Sequence, residues 1–280
     1  MFRIITDSGS DFREEQAKAL DIDIAHLKIT FPDEVIIQYR ESDVGHFFDK
    51  LKSAKELPFT SQPSPAEFLA LYEKYAGEEI LVLTLSGNLS GTLNSAELAR
   101  KELADSERIH IVDTKQATLS QNVIVLEATR MRDAGHTIQE TEQKARELAE
   151  KTTIIGLINT LKFLKKGGRI PASLATIGSI LNMKPVVELK DGALTTVGKA
   201  RGHQGGMRLL SERLEELGID SSYTVYIGTT ESDRYRKEIE NFMKTNYKDV
   251  DFEYARIGGI IGTHVGPDCI GVAFVKKNYE

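Results

Sequence analysis

Ile80-Leu81-Val82-Leu83-Thr84-Leu85-Ser86-Gly87-Asn88-Leu89-Ser90-Gly91-Thr92 is the stretch on which the fold turns. Ile80–Leu85 is a strand-length apolar run, as expected of a parallel strand buried on both faces. A glycine-containing turn follows, and Gly91–Leu103 has a helical pattern. Strand, turn and helix in that order form the repeating unit of an open parallel sheet, whose ligands sit beyond the carboxyl ends of the strands. The turn exposes backbone N–H groups at a helix start, where the helix dipole favours an anion. Ser90 and Thr92 add hydroxyl donors. The loop lacks both Gly-Lys-Ser/Thr and Gly-x-Gly-x-x-Gly, so no nucleotide is implied. Taken alone, it also reads as a capped, ordinary strand-to-helix connection.

The same alternation extends to both sides. Phe2–Ile5 and Ile24–Phe31 read as strands, and Asp11–Leu20 and Val44–Leu51 as helices. Pro65–Tyr75 is a helix with Ser64 as its cap and Pro65 in its first turn. Strand Ile109–Val112 and helices Asn122–Asp133 and Thr137–Lys151 complete a first half that predicts a parallel sheet flanked by helices. After residue 152 the pattern changes. Lys190-Asp191-Gly192 between Val186–Leu189 and Ala193–Val197 signals a hairpin inside a strand–helix alternation, hence a mixed sheet. Leu161–Lys166, Leu174–Leu181, Gly206–Leu217 and Asp233–Thr245 read as helices, and Ile154–Ile158, Tyr223–Thr229, Phe252–Arg256 and Ile270–Val275 as strands. The chain has 280 residues, enough for two domains at roughly 100–200 residues each. The division expected is 1–152, an N-terminal α/β domain, and 153–280, a C-terminal mixed α/β domain.

Composition narrows the function classes. No apolar run approaches the ~20 residues of a membrane-spanning helix. The start Met1-Phe2-Arg3-Ile4-Ile5-Thr6-Asp7 lacks a signal peptide's layout, so a cytoplasmic protein is expected. The single cysteine, Cys269, excludes an internal disulfide and any multi-cysteine metal site. The net charge of −6 argues against general nucleic-acid binding. Charge is uneven, however: Lys162–Arg208 holds nine basic and two acidic residues, either a solvated surface or a face that meets an acidic partner.

Three more segments carry chemistry. In Pro58-Phe59-Thr60-Ser61-Gln62-Pro63-Ser64-Pro65 the prolines restrict the backbone and hold the hydroxyls between them, although a rigid helix lead-in has the same look. Leu164-Lys165-Lys166-Gly167-Gly168-Arg169-Ile170 can bring an arginine to a carboxylate or phosphate, or merely end a helix on glycine. Ile257-Gly258-Gly259-Ile260-Ile261-Gly262-Thr263-His264-Val265-Gly266-Pro267 reads as a glycine-rich loop around one histidine, with no neighbouring residue at metal-ligand spacing. Ser90 and His264, with Asp7 or Asp113 as the orienting acid, compose a rival reading as a serine hydrolase or acyltransferase. Ser90 lacks the Gly-x-Ser-x-Gly elbow of such enzymes.

Together these segments resemble the DegV family of bacterial fatty-acid-binding proteins. The resemblance rests on Thr6-Asp7-Ser8-Gly9-Ser10-Asp11, Thr60-Ser61-Gln62-Pro63-Ser64, Leu89-Ser90-Gly91-Thr92, Gly167-Gly168-Arg169-Ile170 and Gly262-Thr263-His264-Val265-Gly266-Pro267, in the family's order across nearly the whole chain. It implies two α/β domains with a long-chain fatty acid between them. It also implies a carboxylate held by Thr60 and Ser90, with Ser61 and Gly91 beside them and Arg169 and His264 near the head group, where the histidine's charge would respond to pH. No cofactor or metal is implied, and catalysis is expected in a separate fatty acid kinase that makes acyl phosphate. Val197-Gly198-Lys199-Ala200-Arg201-Gly202 resembles the segment that meets that kinase, which singles out Lys199 and Arg201. The resemblance leaves room for transient membrane contact. Two departures bear on the pocket: Thr118-Leu119-Ser120-Gln121-Asn122 replaces a Ser- and Gly-rich run, and Asp268 follows Gly266-Pro267 in place of glycine. A carrier of another amphipathic anion, such as an isoprenoid acid, is a second rival.

Overall fold

The computed structural model describes residues 1–37, 40–175, 182–231 and 233–278. In chain order the strands are β1 (Arg3–Asp7), β2 (Ile22–Ala25), β3 (Lys28–Thr30), β4 (Val35–Ile36), β5 (Phe59–Ser61), β6 (Ile80–Thr84), β7 (Ile109–Asp113), β8 (Thr152–Leu157), β9 (Met183–Lys190), β10 (Ala193–Arg201), β11 (Val225–Thr230), β12 (Phe252–Ile257) and β13 (Ile270–Val275). The α-helices are α1 (Glu14–Ala19), α2 (Glu41–Ser53), α3 (Pro65–Lys74), α4 (Thr92–Lys101), α5 (Leu119–Asp133), α6 (Ile138–Lys151), α7 (Lys162–Gly167), α8 (Ala172–Ala175), α9 (Gly202–Leu217), α10 (Arg236–Asn246) and α11 (Gly259–Val265).

The expected fold class holds. A four-stranded parallel sheet runs β2-β1-β6-β7, and a mixed six-stranded sheet runs β10-β9-β8-β13-β11-β12. Every residue of β6 is buried, as its apolar run requires. Helix α3 begins where Ser64 and Pro65 put it, with a reciprocal Ser64–Glu67 capping box. The β9–β10 hairpin turns at Asp191-Gly192, with φ of 50° and 78°. Helix α5 is buried on nearly every side. Val123, Ile124 and Ala128 pack with β1 and β6 residues, while Leu119 packs with Ile257 and Ala273 of the mixed sheet. The helix is thus enclosed from both sides, and it buries Ser120, Gln121, Asn122, Thr129 and Arg132 along with its apolar residues.

Three readings change, and a fourth falls largely outside the described residues. Ile24–Phe31 is two strands, not one: β2 lies in the parallel sheet, and β3 enters a separate antiparallel sheet, β4-β3-β5. The chain breaks between them where the Leu27 amide donates to Ser8 Oγ at 2.9 Å. The first helix starts at Glu14 rather than Asp11, because Ser8–Ser10 forms a buried 3-10 turn. Asp7 caps that turn, accepting the Gly9 amide at 2.8 Å and the Leu85 amide at 2.7 Å. The glycine-rich loop around His264 is a helix, α11. Its glycines allow close packing: a Cβ on Gly262 would meet Phe48 Cζ at 2.8 Å, and Gly266 turns out of the helix at φ 78°. Of the expected helix Leu174–Leu181, residues 174 and 175 belong to α8 and the remainder lies outside the described residues.

Candidate functional site

A cavity of about 400 Å³ separates the loops at the carboxyl ends of the parallel sheet from one face of the mixed sheet. Leu85, Leu89 and Ser90 reach it from beyond β6, and Ala117 and Thr118 from beyond β7, as expected for ligand placement in an open parallel sheet. Ile154 and Gly156 of β8, Val187 and Leu189 of β9, Leu194 of β10 and Gly271 of β13 form the opposite wall. Alternation along each strand puts their neighbours Ile155, Leu157, Val186 and Val272 on the other face, in the core beneath α9 and α10. The wall is therefore apolar because it is the inner face of a two-sided sheet.

The polar groups gather elsewhere in the lining. Thr60 is the middle residue of β5, Ser90 precedes α4, Arg169 follows α7, and His264 is on α11. Thr60 Oγ1 lies 2.9 Å from His264 Nε2. Ser90 Oγ lies 2.9 Å from Thr92 Oγ1 at the start of α4. Arg169 Nε donates to the Leu89 carbonyl at 3.0 Å and its Nη1 to the Gly167 carbonyl at 2.6 Å, which holds the guanidinium beside the Ser90 loop. Arg169 and Ser61 are exposed, so this end of the cavity reaches the surface. Burial, and then the nearby Arg169 cation, push the His264 pKa down to about 4. The imidazole is thus neutral near pH 7, and the site's fixed positive charge is Arg169. His264 Nδ1 is buried without a hydrogen-bond partner. An orphaned donor costs more than an orphaned lone pair, so we assign the Nε2–H tautomer, in which the ring donates to Thr60. The Thr60 hydroxyl proton is then free to point at a ligand oxygen.

These contacts do not form a hydrolytic triad. The His264 partner is Thr60, and the Ser90 partner is Thr92. Asp7 is occupied by the Gly9 and Leu85 amides, and Asp113 accepts from the Lys115 amide at 2.8 Å. Among the described residues no orienting carboxylate hydrogen-bonds to the histidine, which a triad base requires.

The structure brings Thr60, Ser61, Ser90, Arg169 and His264 to one cavity. Gly91 does not line it. A Cβ there would lie 2.2 Å from Gln62 Oε1, so this glycine makes room for the Gln62 side chain, which crosses to Ser95 Oγ at 3.0 Å. Lys199 and Arg201 lie away from the cavity, exposed near the end of edge strand β10. Asp268 does not line the cavity either. Sequence reading missed Asp11, a buried residue at φ 63°. It accepts from Thr118 Oγ1 at 2.5 Å and from the Gly258 amide at 3.0 Å, tying the cavity loop before α5 to the start of α11. The available signal was an aspartate closing the short glycine-containing run Ser8-Gly9-Ser10, a residue type that adopts the left-handed conformation more readily than most.

A family model described as "Uncharacterised protein, DegV family" matches residues 1–277. A Thermotoga maritima protein named fatty acid-binding protein is 31% identical over 282 residues, covering 96% of this chain and 96% of its own. The crystal structure of a DegV lipid-binding protein from the same organism superposes with a TM-score of 0.87 at 28% identity, covering 100% of both chains. The Streptococcus pneumoniae fatty acid kinase (Fak) B3 protein, solved with linoleic acid, has the same fold: TM-score 0.86, 21% identity, 98% of this chain and 99% of that one.

Proposed function

The chain belongs to the DegV family, and on that premise we propose that it holds a long-chain fatty acid in the cavity between its sheets and presents the carboxylate to a separate kinase for acyl-phosphate formation. One observation carries this reading: the cavity is amphipathic end to end, with an apolar sheet face as one wall and three hydroxyls, a neutral imidazole and an arginine at its open end. A fatty acid has that polarity. Burying a methylene is worth about 0.8 kcal/mol, so ~14 of them supply on the order of 11 kcal/mol before the costs of binding are met. The Thr60 and Ser90 hydroxyls donate to the carboxylate, and Arg169 supplies the opposite charge. The lipid-binding relatives named above support the ligand class.

The binding role asks no covalent step of this protein, consistent with the missing triad. Delivery to a kinase is supported by the exposure of Ser61 and Arg169, which leaves the head group accessible from outside. Lys199 and Arg201 are the residues we place at the kinase contact. Native mass spectrometry of the protein as purified tests the ligand assignment. A bound mass in the fatty-acid range is expected. An empty protein that hydrolyses acyl esters in a Ser90-dependent manner would overturn it.

A further inference from the structure

At one level of the mixed sheet, three adjacent strands are bare of side chains. Reading across it, Val187 of β9 pairs with Gly156 of β8, Gly156 with Gly271 of β13, Gly271 with Gly228 of β11, and Gly228 with Ala255 of β12. Directly paired residues project from the same face, so three adjacent strands present no Cβ at this height on the cavity side. None of the three has a positive φ. Their backbones are ordinary strand, where β-branched residues fit best and glycine weakens the sheet.

Packing explains only part of the row. At Gly228 a Cβ would lie 2.5 Å from the Ala255 carbonyl oxygen and 2.7 Å from Leu119 Cδ1, so the fold itself demands glycine. At Gly271 it would lie 3.0 Å from Ile154 Cδ1 and 3.2 Å from Ile257 Cδ1, both ends of side chains. At Gly156 the nearest atoms are Ile158 Cδ1 and Val187 Cγ2, each at 3.5 Å, an ordinary contact. Among the described residues, none crowds a Cβ at 156. Gly156 and Gly271 both line the cavity, whereas Gly228 lies beyond its end, under Leu119 and Ile257.

We infer that Gly156 and Gly271 form the lane along which the far part of the acyl chain crosses the sheet, and that Leu119 and Ile257 close the lane and limit the chain length accepted. This rests on the fatty-acid reading above and deepens it to a specificity determinant. A side chain at 156 fills the lane from below and displaces methylenes, each worth roughly fourfold in affinity.

The test compares decanoate, palmitate and stearate binding by calorimetry to the wild type, Gly156→Ala and Gly156→Val, alongside the melting temperature of each ligand-free protein. The valine variant is expected to lose palmitate and stearate affinity by about 10- to 100-fold, decanoate by less than about threefold, with alanine between, and no fall in melting temperature. Equal weakening of all three acids, or no weakening, overturns the lane. If valine prevents folding, the alanine variant's palmitate-to-decanoate ratio decides in the same way. A wild type that binds none of the acids overturns the fatty-acid reading itself, an outcome seen before any variant is made.

Discussion

Thr60 Oγ1 and His264 Nε2 meet at 2.9 Å across 204 residues of sequence. The contact joins the central residue of β5, in the small antiparallel sheet, to α11 beside the mixed sheet. The histidine's other nitrogen is buried with no partner, and a Cβ on Gly167 would lie 2.2 Å from it. A neutral ring fixed on both sides in this way orients the Thr60 hydroxyl rather than carrying charge. The proposed head-group end is therefore organised as hydroxyl donors backed by one arginine.

Removing either donor should weaken binding without unfolding the protein. A hydrogen bond to a charged group contributes about 1.5–3 kcal/mol, so Ser90→Ala and Thr60→Val should each lower fatty-acid affinity roughly 10- to 100-fold. Calorimetric titration with palmitate, paired with melting curves, measures both quantities. Unchanged affinity in both variants removes these hydroxyls from the site.

The histidine sets a pH signature. Its pKa is held down to about 4 by burial and Arg169, against 6.5 when free. Below pH 6.5 the unfolded chain takes up the proton and the native chain does not. The associated stability is complete above that value and is lost as pH falls towards 4, on the order of 3 kcal/mol at most. Fatty-acid affinity should stay flat between about pH 6 and 8.5, because the ring is neutral throughout that span. An affinity that declines steadily as pH rises through 6.5 would restore the histidine as a head-group cation.

Asp7 has the opposite slope. Burial raises its pKa from 3.8 to about 7 against the pull of the Leu85 and Gly9 amides. Native protein holds the proton more tightly, so this contribution is full below pH 3.8 and is lost as pH rises to about 7, on the order of 4 kcal/mol. The Asp7 and His264 slopes oppose each other between about pH 4 and 6.5, so a wild-type curve alone conceals both. The stability of Asp7→Asn relative to wild type should climb between pH 4 and 7. A difference independent of pH would show that the carboxyl titrates normally.

Much of this was legible because its determinants are local. The apolar run Ile80–Leu85, the Ser64–Pro65 helix start and the Asp191-Gly192 turn each specify structure within a few residues, and each formed where expected. The residues that gather at the cavity stood out as motif segments, but their mutual contacts are long-range and left no local trace. His264 looked like a loop residue because glycines at 258, 259, 262 and 266 disfavour a helix by propensity. Packing against Phe47, Phe48 and Phe163 overrode that preference. The split of Ile24–Phe31 into two sheets depended on Ser8, far outside the local pattern. The apolar wall gave strand signals only, since neither period nor composition says which face of a buried sheet adjoins a cavity.

Two glycines make a paired stability test. Gly167→Ala should cost both stability and affinity, because the new methyl must displace the His264 ring. Gly45 lies within α2 with nothing within 4 Å of its Cβ position and no positive φ. Gly45→Ala should therefore stabilise by about 0.5–1 kcal/mol through helix propensity and a less free unfolded chain. Denaturant melts on both variants check the signs. A stable Gly167→Ala with full affinity would show that the ring moves at no cost.

Arg201→Glu tests the kinase contact. The residue ends β10 as an exposed side chain and makes no side-chain cap bond to α9, so reversing its charge should leave the fold intact. Lys199 projects two residues away on the same face of the edge strand. Both belong to the segment Lys162–Arg208, basic within a chain of net charge −6. Opposite charges on a partner mainly speed association, and salt screens them over about 8 Å at physiological ionic strength. Arg201→Glu should slow acyl-phosphate formation by a reconstituted kinase pair, most strongly at low salt, while palmitate affinity stays at the wild-type value. A joint fall of turnover and fatty-acid affinity would move Arg201 into the pocket or the fold. If neither changes at any salt concentration, the kinase docks elsewhere, and the basic segment is a solvated surface.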